Sequence, residues 1–295
     1  MEWQQIIGFH HVAKLGSFTK AADATFRTQS ALTQQIKSLE EEFDCRLFER
    51  IGKRKIILTP PGETLFRFSE SLLEEYDRLV VHMGEHKGFM QGRLGIAAPF
   101  TTLYHLLPKV VRKYNSQFPW VELSLFDRPQ REAVHMVRGG DVDFGIAGES
   151  VISSELSRRS WKKVEPVLLT PSDHPLSHAR RASLEKIVQY PLILPPRNSD
   201  FQHRSLLEEL FRQHGLTFHV VMESSNIELS SIYVEMGLGV SFASIVKGLP
   251  VFGERRLEQI RMDHYLPVEN ICVAMRKDKK LTLFQETFLE LMFNS

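Results

Sequence analysis

Twelve residues constrain this chain more than any others, the run Thr28-Gln29-Ser30-Ala31-Leu32-Thr33-Gln34-Gln35-Ile36-Lys37-Ser38-Leu39. Thr28 is placed to cap a helix, and Leu32, Ile36, Leu39 and Phe43 follow at helical spacing, so one face of that helix turns to a core. The opposite face carries Gln29, Ser30, Thr33, Gln34 and Lys37, where an ordinary surface helix would carry Glu and Lys. Amides pair bidentately with adenine edges, hydroxyls with bases or phosphates, and lysine with phosphate or guanine, which is what a helix in a DNA major groove needs. Taken alone, the same face also reads as an uncharged solvated surface.

The neighbouring residues decide between the two. Ile6, Phe9, Val12 and Ala13 mark an amphipathic helix that stops at Gly16. Ser17 caps a short second helix, in which Ala21 and Ala22 let another helix come close, and Phe26-Arg27-Thr28 makes a tight turn. This order of helix, short helix, turn and polar-faced helix is that of a helix-turn-helix. Downstream, Arg46 to Leu58 reads as a small hairpin with a basic tip at Arg50, Gly52, Lys53 and Arg54. Beside such a helix, a basic hairpin straddles the phosphate backbone and reaches the minor groove.

From Phe9 to Gly62 the chain resembles the winged helix-turn-helix of LysR-type transcriptional regulators. The matching residues are Gly16-Ser17-Phe18, Ala21-Ala22, Gln29-Ser30-Ala31-Leu32-Thr33, Gln35-Ile36, Leu39-Glu40, Leu47-Phe48-Glu49-Arg50 and Leu58-Thr59-Pro60-Pro61-Gly62. Ser30 stands where the family usually has proline, Thr33 where serine is usual, and Asp44 where glycine is common. The first two leave the groove-facing chemistry intact, and Asp tolerates a left-handed turn.

The chain has 295 residues and a formal net charge of +1, so affinity for nucleic acid has to come from where charges sit. From Met1 to Pro60, nine Lys and Arg face seven Asp and Glu, a local net of +2. Cys45 and Cys272 have no metal-ligand spacing and sit among apolar neighbours, which reads as small core residues, with redox sensing as the alternative. No apolar run approaches the ~20 residues of a membrane span, and the first residues do not resemble a signal segment, so a cytoplasmic protein is expected.

Thr59 opens a further helix with Pro60 in its first turn. Leu65, Phe68, Leu72, Tyr76, Leu79 and Met83 recur along it at spacings of three and four, and Gly84 and Gly88 follow. A long amphipathic helix between two domains has little of its own chain to bury against, which predicts a dimerisation helix; the resemblance implies the same. After Gly92 strands and helices alternate: Arg93–Ala98, Leu103–Ser116, Val121–Asp127, Arg131–Arg138 and Val142–Ala147. A second set runs through Pro166–Pro171, Leu184–Gln189, Leu192–Leu194, Phe201–His214, Phe218–Glu223, Ile227–Met236 and Gly239–Ala243. Val268–Met275 and Leu281–Phe293 end the chain. Such alternation predicts parallel sheets covered by helices, arranged as two α/β lobes around a cleft.

The expected fold is therefore α/β with an all-α-rich N-terminal domain. It comprises a winged helix-turn-helix over 1–60, a linker helix over 61–88, one lobe from 92–165 with 268–295, and a second lobe from 166–267. Leu106-Leu107-Pro108, Phe118-Pro119, Asp141 to Ile146, His174-Pro175-Leu176 and Gly237 to Val240 are similar to landmarks of the family's effector domain. The resemblance implies that this domain has the fold of periplasmic binding proteins.

Ligands of such sheets bind beyond the carboxyl ends of strands, at helix N-termini. Phe100, Thr101 and Thr102 lie in that position in the first lobe, and Thr101 matches the family position whose hydroxyl often meets the effector. Asn198, Ser199, Ser225 and Asn226 are the counterparts in the second lobe. Hydroxyls, amides and helix N-termini suit a small carboxylate or oxyanion, although Thr101, Ser199 and Ser225 also read as plain N-caps. Arg197 reads equally as solvated, and Asp200 would oppose an anion.

An enzyme is not indicated: no metal pattern, nucleotide-binding glycine fingerprint or nucleophile elbow is present, and no cofactor is expected. An exported solute-binding protein would share the two lobes but would not need residues 1–60. The expectation is a ligand-responsive regulator that binds double-stranded promoter DNA. Gln29, Ser30, Thr33 and Gln34 would read bases, and Lys37, Arg50, Lys53 and Arg54 would hold phosphate or the minor groove. The resemblance implies a homodimer or a homotetramer built from dimers, and RNA polymerase as a partner of any activator.

Overall fold

The computed structural model describes the chain apart from residues 52–54, 86–89, 179–180, 198–201, 247–251 and 253–254, and apart from some side chains near them and on the linker helix. Its contacts divide it into two compact units, Met1–Phe89 and Met90–Ser295.

In the first unit, α1 (Trp3–Leu15) ends at Gly16, whose φ of 57° is the left-handed C-cap that glycine adopts without strain. Ser17 accepts from the Lys20 amide and opens α2 (Phe18–Ala24), where Ala21 and Ala22 are buried. Phe26 turns the chain at φ 55°, and the Thr28 hydroxyl accepts from the Ala31 amide at 3.2 Å to cap α3 (Gln29–Glu42). Leu32, Ile36 and Leu39 enter the core with Phe9, Val12 and Leu47, as their spacing predicts. Phe43 does not; it is the C-cap of α3 and 43% exposed, because Asp44, at φ 46°, redirects the chain before another turn forms.

The expected hairpin forms from β1 (Phe48–Ile51) and β2 (Lys55–Leu58), antiparallel with Glu49 opposite Ile57. Glu40 fastens it to α3, one carboxylate oxygen accepting from the amides of Leu47 at 2.8 Å and Phe48 at 3.4 Å. Next comes α4 (Pro60–Glu85), capped by Thr59, whose hydroxyl accepts from the Gly62 amide at 3.1 Å. Glycine is required there, since a Cβ on Gly62 would lie 2.1 Å from the Leu47 carbonyl oxygen.

The linker helix buries more against its own chain than expected. His10 of α1 stacks on Phe66 at 5.3 Å, with Nδ1 3.2 Å from the hydroxyl of the buried Ser69, and the Trp3 ring lies 4.8 Å from that of Tyr76. Phe68, Tyr76, Leu79, Val80 and Met83 nevertheless stay exposed.

The second unit begins with β3 (Gly92–Ala98), α5 (Phe100–His105), α6 (Pro108–Gln117), β4 (Val121–Asp127), α7 (Gln130–Arg138) and β5 (Phe144–Gly148). β6 (Leu156–Pro171) leads into α8 (Leu184–Ile187), β7 (Leu192–Leu194), α9 (Gln202–Gln213), β8 (Val220–Glu223), α10 (Ile227–Glu235) and β9 (Val240–Val246). β10 (Leu257–Arg261), β11 (Glu269–Arg276) and α11 (Leu283–Phe293) complete it. The sheet order is β4-β3-β5-β11-β6-β9-β7-β8, with β10 also on β6.

Four expectations change here. The helix expected over Leu103–Ser116 is two, because Pro108 offers no N–H to the carbonyl four residues back and starts α6 afresh. The strand expected over Pro166–Pro171 begins ten residues earlier, at Leu156, where the exposed Arg158, Arg159 and Lys163 break the apolar pattern that marks a strand. β10 was not expected. The sheet is mixed rather than parallel: β3, β4 and β5 are parallel, as are β7, β8 and β9, but β11, β6 and β10 run antiparallel between them.

Two lobes result, with separate cores. Ala97, Val137 and Cys272 pack in the first; Leu168, Leu194 and Phe211 form one core of the second, and Leu169, Ile193 and Val234 another. Cys272 is 1% exposed, and burial pushes its thiol above the ordinary range, whereas Cys45 is half-buried. Among the described residues, no helix is long and apolar enough to cross a membrane.

Candidate DNA-reading face and ligand cleft

On α3 the residues Gln29, Ser30, Thr33, Gln34 and Lys37 are all exposed, on the side away from Leu32, Ile36 and Leu39. The helix orients several of them. Thr33 donates its hydroxyl to the Gln29 carbonyl at 2.8 Å, which leaves the oxygen lone pairs outward. Gln29 takes a hydrogen bond from Thr19 of α2 at 3.3 Å on its carbonyl oxygen, so its amide N–H groups project as donors. Lys37 lies 3.5 Å from Glu41 with both side chains exposed, a pairing weak enough for phosphate to displace.

Sequence reasoning overlooked Arg27. Its guanidinium donates to Gln35 Oε1 at 2.8 Å and reaches the Gln4 carbonyl at 3.4 Å, so a half-buried cation ties the turn before α3 to α1 and α3. Its place in the turn was the available signal. On the hairpin, Arg50 stands opposite Ile56, its side chain outside the described residues, as are Lys53 and Arg54 altogether.

In the second unit, a cleft of about 510 Å³ lies between the lobes. Phe100, Thr101 and Thr102 of α5 line it from the first lobe, and Ser225 and Asn226, just before α10, from the second. Asn198 and Ser199 fall outside the described residues. Thr102 is buried and Phe100 is 38% exposed. Asn226 is the N-cap of α10, its Oδ1 accepting from the Glu228 amide at 2.8 Å, and Ser224 donates to the Asn226 carbonyl at 3.1 Å. The first N–H groups of a helix lack partners within it, so both helix starts offer donors to a ligand.

Gln130, Arg128, Ser241 and Glu269 also line the cleft and were not anticipated. Gln130 accepts from the Gly148 amide at 2.6 Å, which leaves its NH₂ for a ligand. Arg128 is already paired with Glu132 at 2.9 Å, and Glu269 accepts from the Ser150 hydroxyl. Arg128 and Gln130 come from the loop and helix start at α7, Ser241 from the start of β9 and Glu269 from the start of β11, so no single local pattern marks them.

A family model described as LysR substrate binding domain matches residues 87–294, and one described as bacterial regulatory helix-turn-helix protein, lysR family, matches residues 3–63. The chain belongs to the LysR family. It is a LysR-type transcriptional regulator with a ligand-binding domain, and not an enzyme. It is similar to the LysR regulator Cbl of Escherichia coli K12, at 28% identity over 99% of this chain and 92% of that protein. It is likewise similar to the transcriptional activator CmpR of Synechocystis sp. PCC 6803, at 29% identity over 97% of this chain and 92% of that one.

Solved LysR structures share the fold. A full-length OxyR variant of Pseudomonas aeruginosa matches with a TM-score of 0.70 at 21% identity, covering 100% of this chain and 94% of that one. The cofactor-binding domain of the Cbl regulator matches with a TM-score of 0.59 at 25% identity, over 70% of this chain and 89% of that domain.

Proposed function

We propose that this regulator reads promoter DNA through Gln29, Ser30, Thr33 and Gln34 at base edges, with Lys37, Arg50, Lys53 and Arg54 on phosphate or in the minor groove. A small carboxylate or oxyanion controls it, held by Phe100, Thr101, Thr102, Asn198, Ser199, Ser225 and Asn226. One observation carries the anionic reading: hydroxyl or amide groups and a helix start from each lobe line the same cleft. Glu269 on the cleft wall orients such a ligand, since a carboxylate repels an anion and drives it towards the α5 and α10 side.

The working division is a DNA-binding domain over 1–60, a linker helix over 61–88, and lobes over 92–165 with 268–295 and over 166–267. The exposed apolar residues of α4 support a homodimer through that helix, and pairs of dimers give a tetramer. As an activator it would contact RNA polymerase, and its place is the cytoplasm, with the DNA.

Footprinting on the DNA upstream of its own gene, with and without a panel of small carboxylates and oxyanions, tests the reading. A partly palindromic protected site whose extent shifts with one compound supports it. Protection that shifts only with a cationic or neutral compound overturns the anionic effector. Absence of protection at low salt counts against α3 as a reader of DNA.

A further inference from the structure

We infer that the hydrogen bond between His105 and Glu228 is a latch across the cleft, holding the two lobes together at the rim and fixing the separation of the α5 and α10 helix starts. His105 ends α5 in the first lobe, Glu228 is the second residue of α10 in the second, and His105 Nε2 lies 2.6 Å from Glu228 Oε1. The two side chains are 14% and 15% exposed. Little water competes for the pair, so it is stronger than a surface contact of the same length.

The two ends of the bond are mounted differently. Glu228 keeps a partner within its own lobe, because its second oxygen takes Arg255 Nη1 at 2.8 Å and the same nitrogen lies 2.5 Å from the Ser231 hydroxyl. The acceptor is thus held in place whether or not His105 reaches it. His105 comes from the other lobe, with its ring edge-on to Tyr104 at 4.9 Å. A fixed acceptor facing a single donor makes a contact that opens and recloses as a unit.

What it positions follows from chain distance. Thr101 and Thr102 sit within one turn of His105 on α5, and Asn226 caps α10 two residues before Glu228. His105 and Glu228 are therefore positioning residues for the groups expected to meet an effector. That consequence rests on the reading above, whereas the latch itself does not.

The latch is measured without any ligand. Spin labels on Asn115→Cys of α6 and Lys186→Cys of α8, both exposed positions, report the distance between lobes by double electron–electron resonance. The full chain carries Cys45→Ser; Cys272, 1% exposed, stays in place because a label does not reach it. Labelled protein is diluted in unlabelled protein so that distances within one chain are read.

His105→Leu and Glu228→Ala are each expected to shift the distribution to longer and broader distances, with the double variant no further than either. His105→Gln, which keeps an N–H donor, is expected to stay near the parent. Thermal unfolding of each variant shows that it is folded, and the glutamine variant and Glu228→Ala carry the test if His105→Leu is not. An unchanged distribution in the folded Leu and Ala variants overturns the latch and leaves the effector reading untouched. A double variant that opens further than either single variant overturns the single-bond account.

Discussion

His10 makes the docking of the linker helix on α1 sensitive to acid. Burial against Phe66 and Ser69, then the neighbouring charges of Lys14 and His11, push its pKa down from 6.5 to about 4. The native state favours neutral His10, so its contribution is fully present above pH 6.5 and is lost as the pH falls through about 4, where unfolded chains bind a proton first. One pKa unit corresponds to 1.36 kcal/mol, so the limit is about 3 kcal/mol and the loss between pH 7 and pH 5 about 2 kcal/mol. Urea unfolding followed by Trp3 fluorescence, in a Trp120→Phe, Trp161→Phe background, reads the first unit selectively. His10→Gln lowers stability at neutral pH through lost stacking, but its stability is expected to fall by about 2 kcal/mol less than the parent's between pH 7 and pH 5. Parallel losses in the two proteins over that range would refute the assignment.

Other expectations are as direct. Gly62→Ala forces a Cβ to within 2.1 Å of the Leu47 carbonyl oxygen, and the same urea assay should register a loss of about 3 kcal/mol as α4 or the segment at Leu47 gives way. Gln29→Ala should cost ~1 to 3 kcal/mol of discrimination between selected and random DNA, whereas Arg54→Ala should weaken both alike in competition binding. Equal losses for Gln29→Ala remove it from the base-reading set. Glu269→Gln removes a negative charge from the cleft wall, so sulfate measured by calorimetry should bind more tightly than to the parent; weaker binding would show that Glu269 faces a donor instead.

The first unit was legible because its signals are local. Ser17, Thr28 and Thr59 cap the elements they precede, and Leu32, Ile36 and Leu39 mark a face by spacing alone. Spacing failed at Phe43, where Asp44 ends the helical geometry on which the pattern depends. In the second unit the periodic helices and buried strands were found, but only the second half of β6 was, since its first half carries the consecutive exposed residues Arg158, Arg159 and Ser160 and is held by pairing with β11. The cleft was half legible. Helix starts announce themselves through Thr101 and Asn226, whereas Glu269 and Gln130 arrive there by topology, from a strand end and a helix start whose neighbourhood the sequence does not state.

Topology also bears on which way the anion proposed above would act on the lobes. Val164 of β6 pairs with Glu269 of β11 on one side and with Val246 of β9 on the other, so the strand passes from the first lobe's ladder to the second's at that residue. The chain returns to the first lobe between Arg261 and Glu269, which places both passages side by side. A rotation there would change the gap between α5 and α10 while leaving each lobe's core intact, because those cores are separate. Val164 and Glu269 line the cleft as well. A ligand shifts such an equilibrium only by the difference in its contacts between open and closed forms. An anion is repelled at Glu269, next to the axis, and attracted at the two helix starts, away from it. Contacts made to both helix starts together exist only when the gap is narrow, so the anionic effector proposed above would favour a closed form, and a cation drawn to Glu269 would gain nothing from closure.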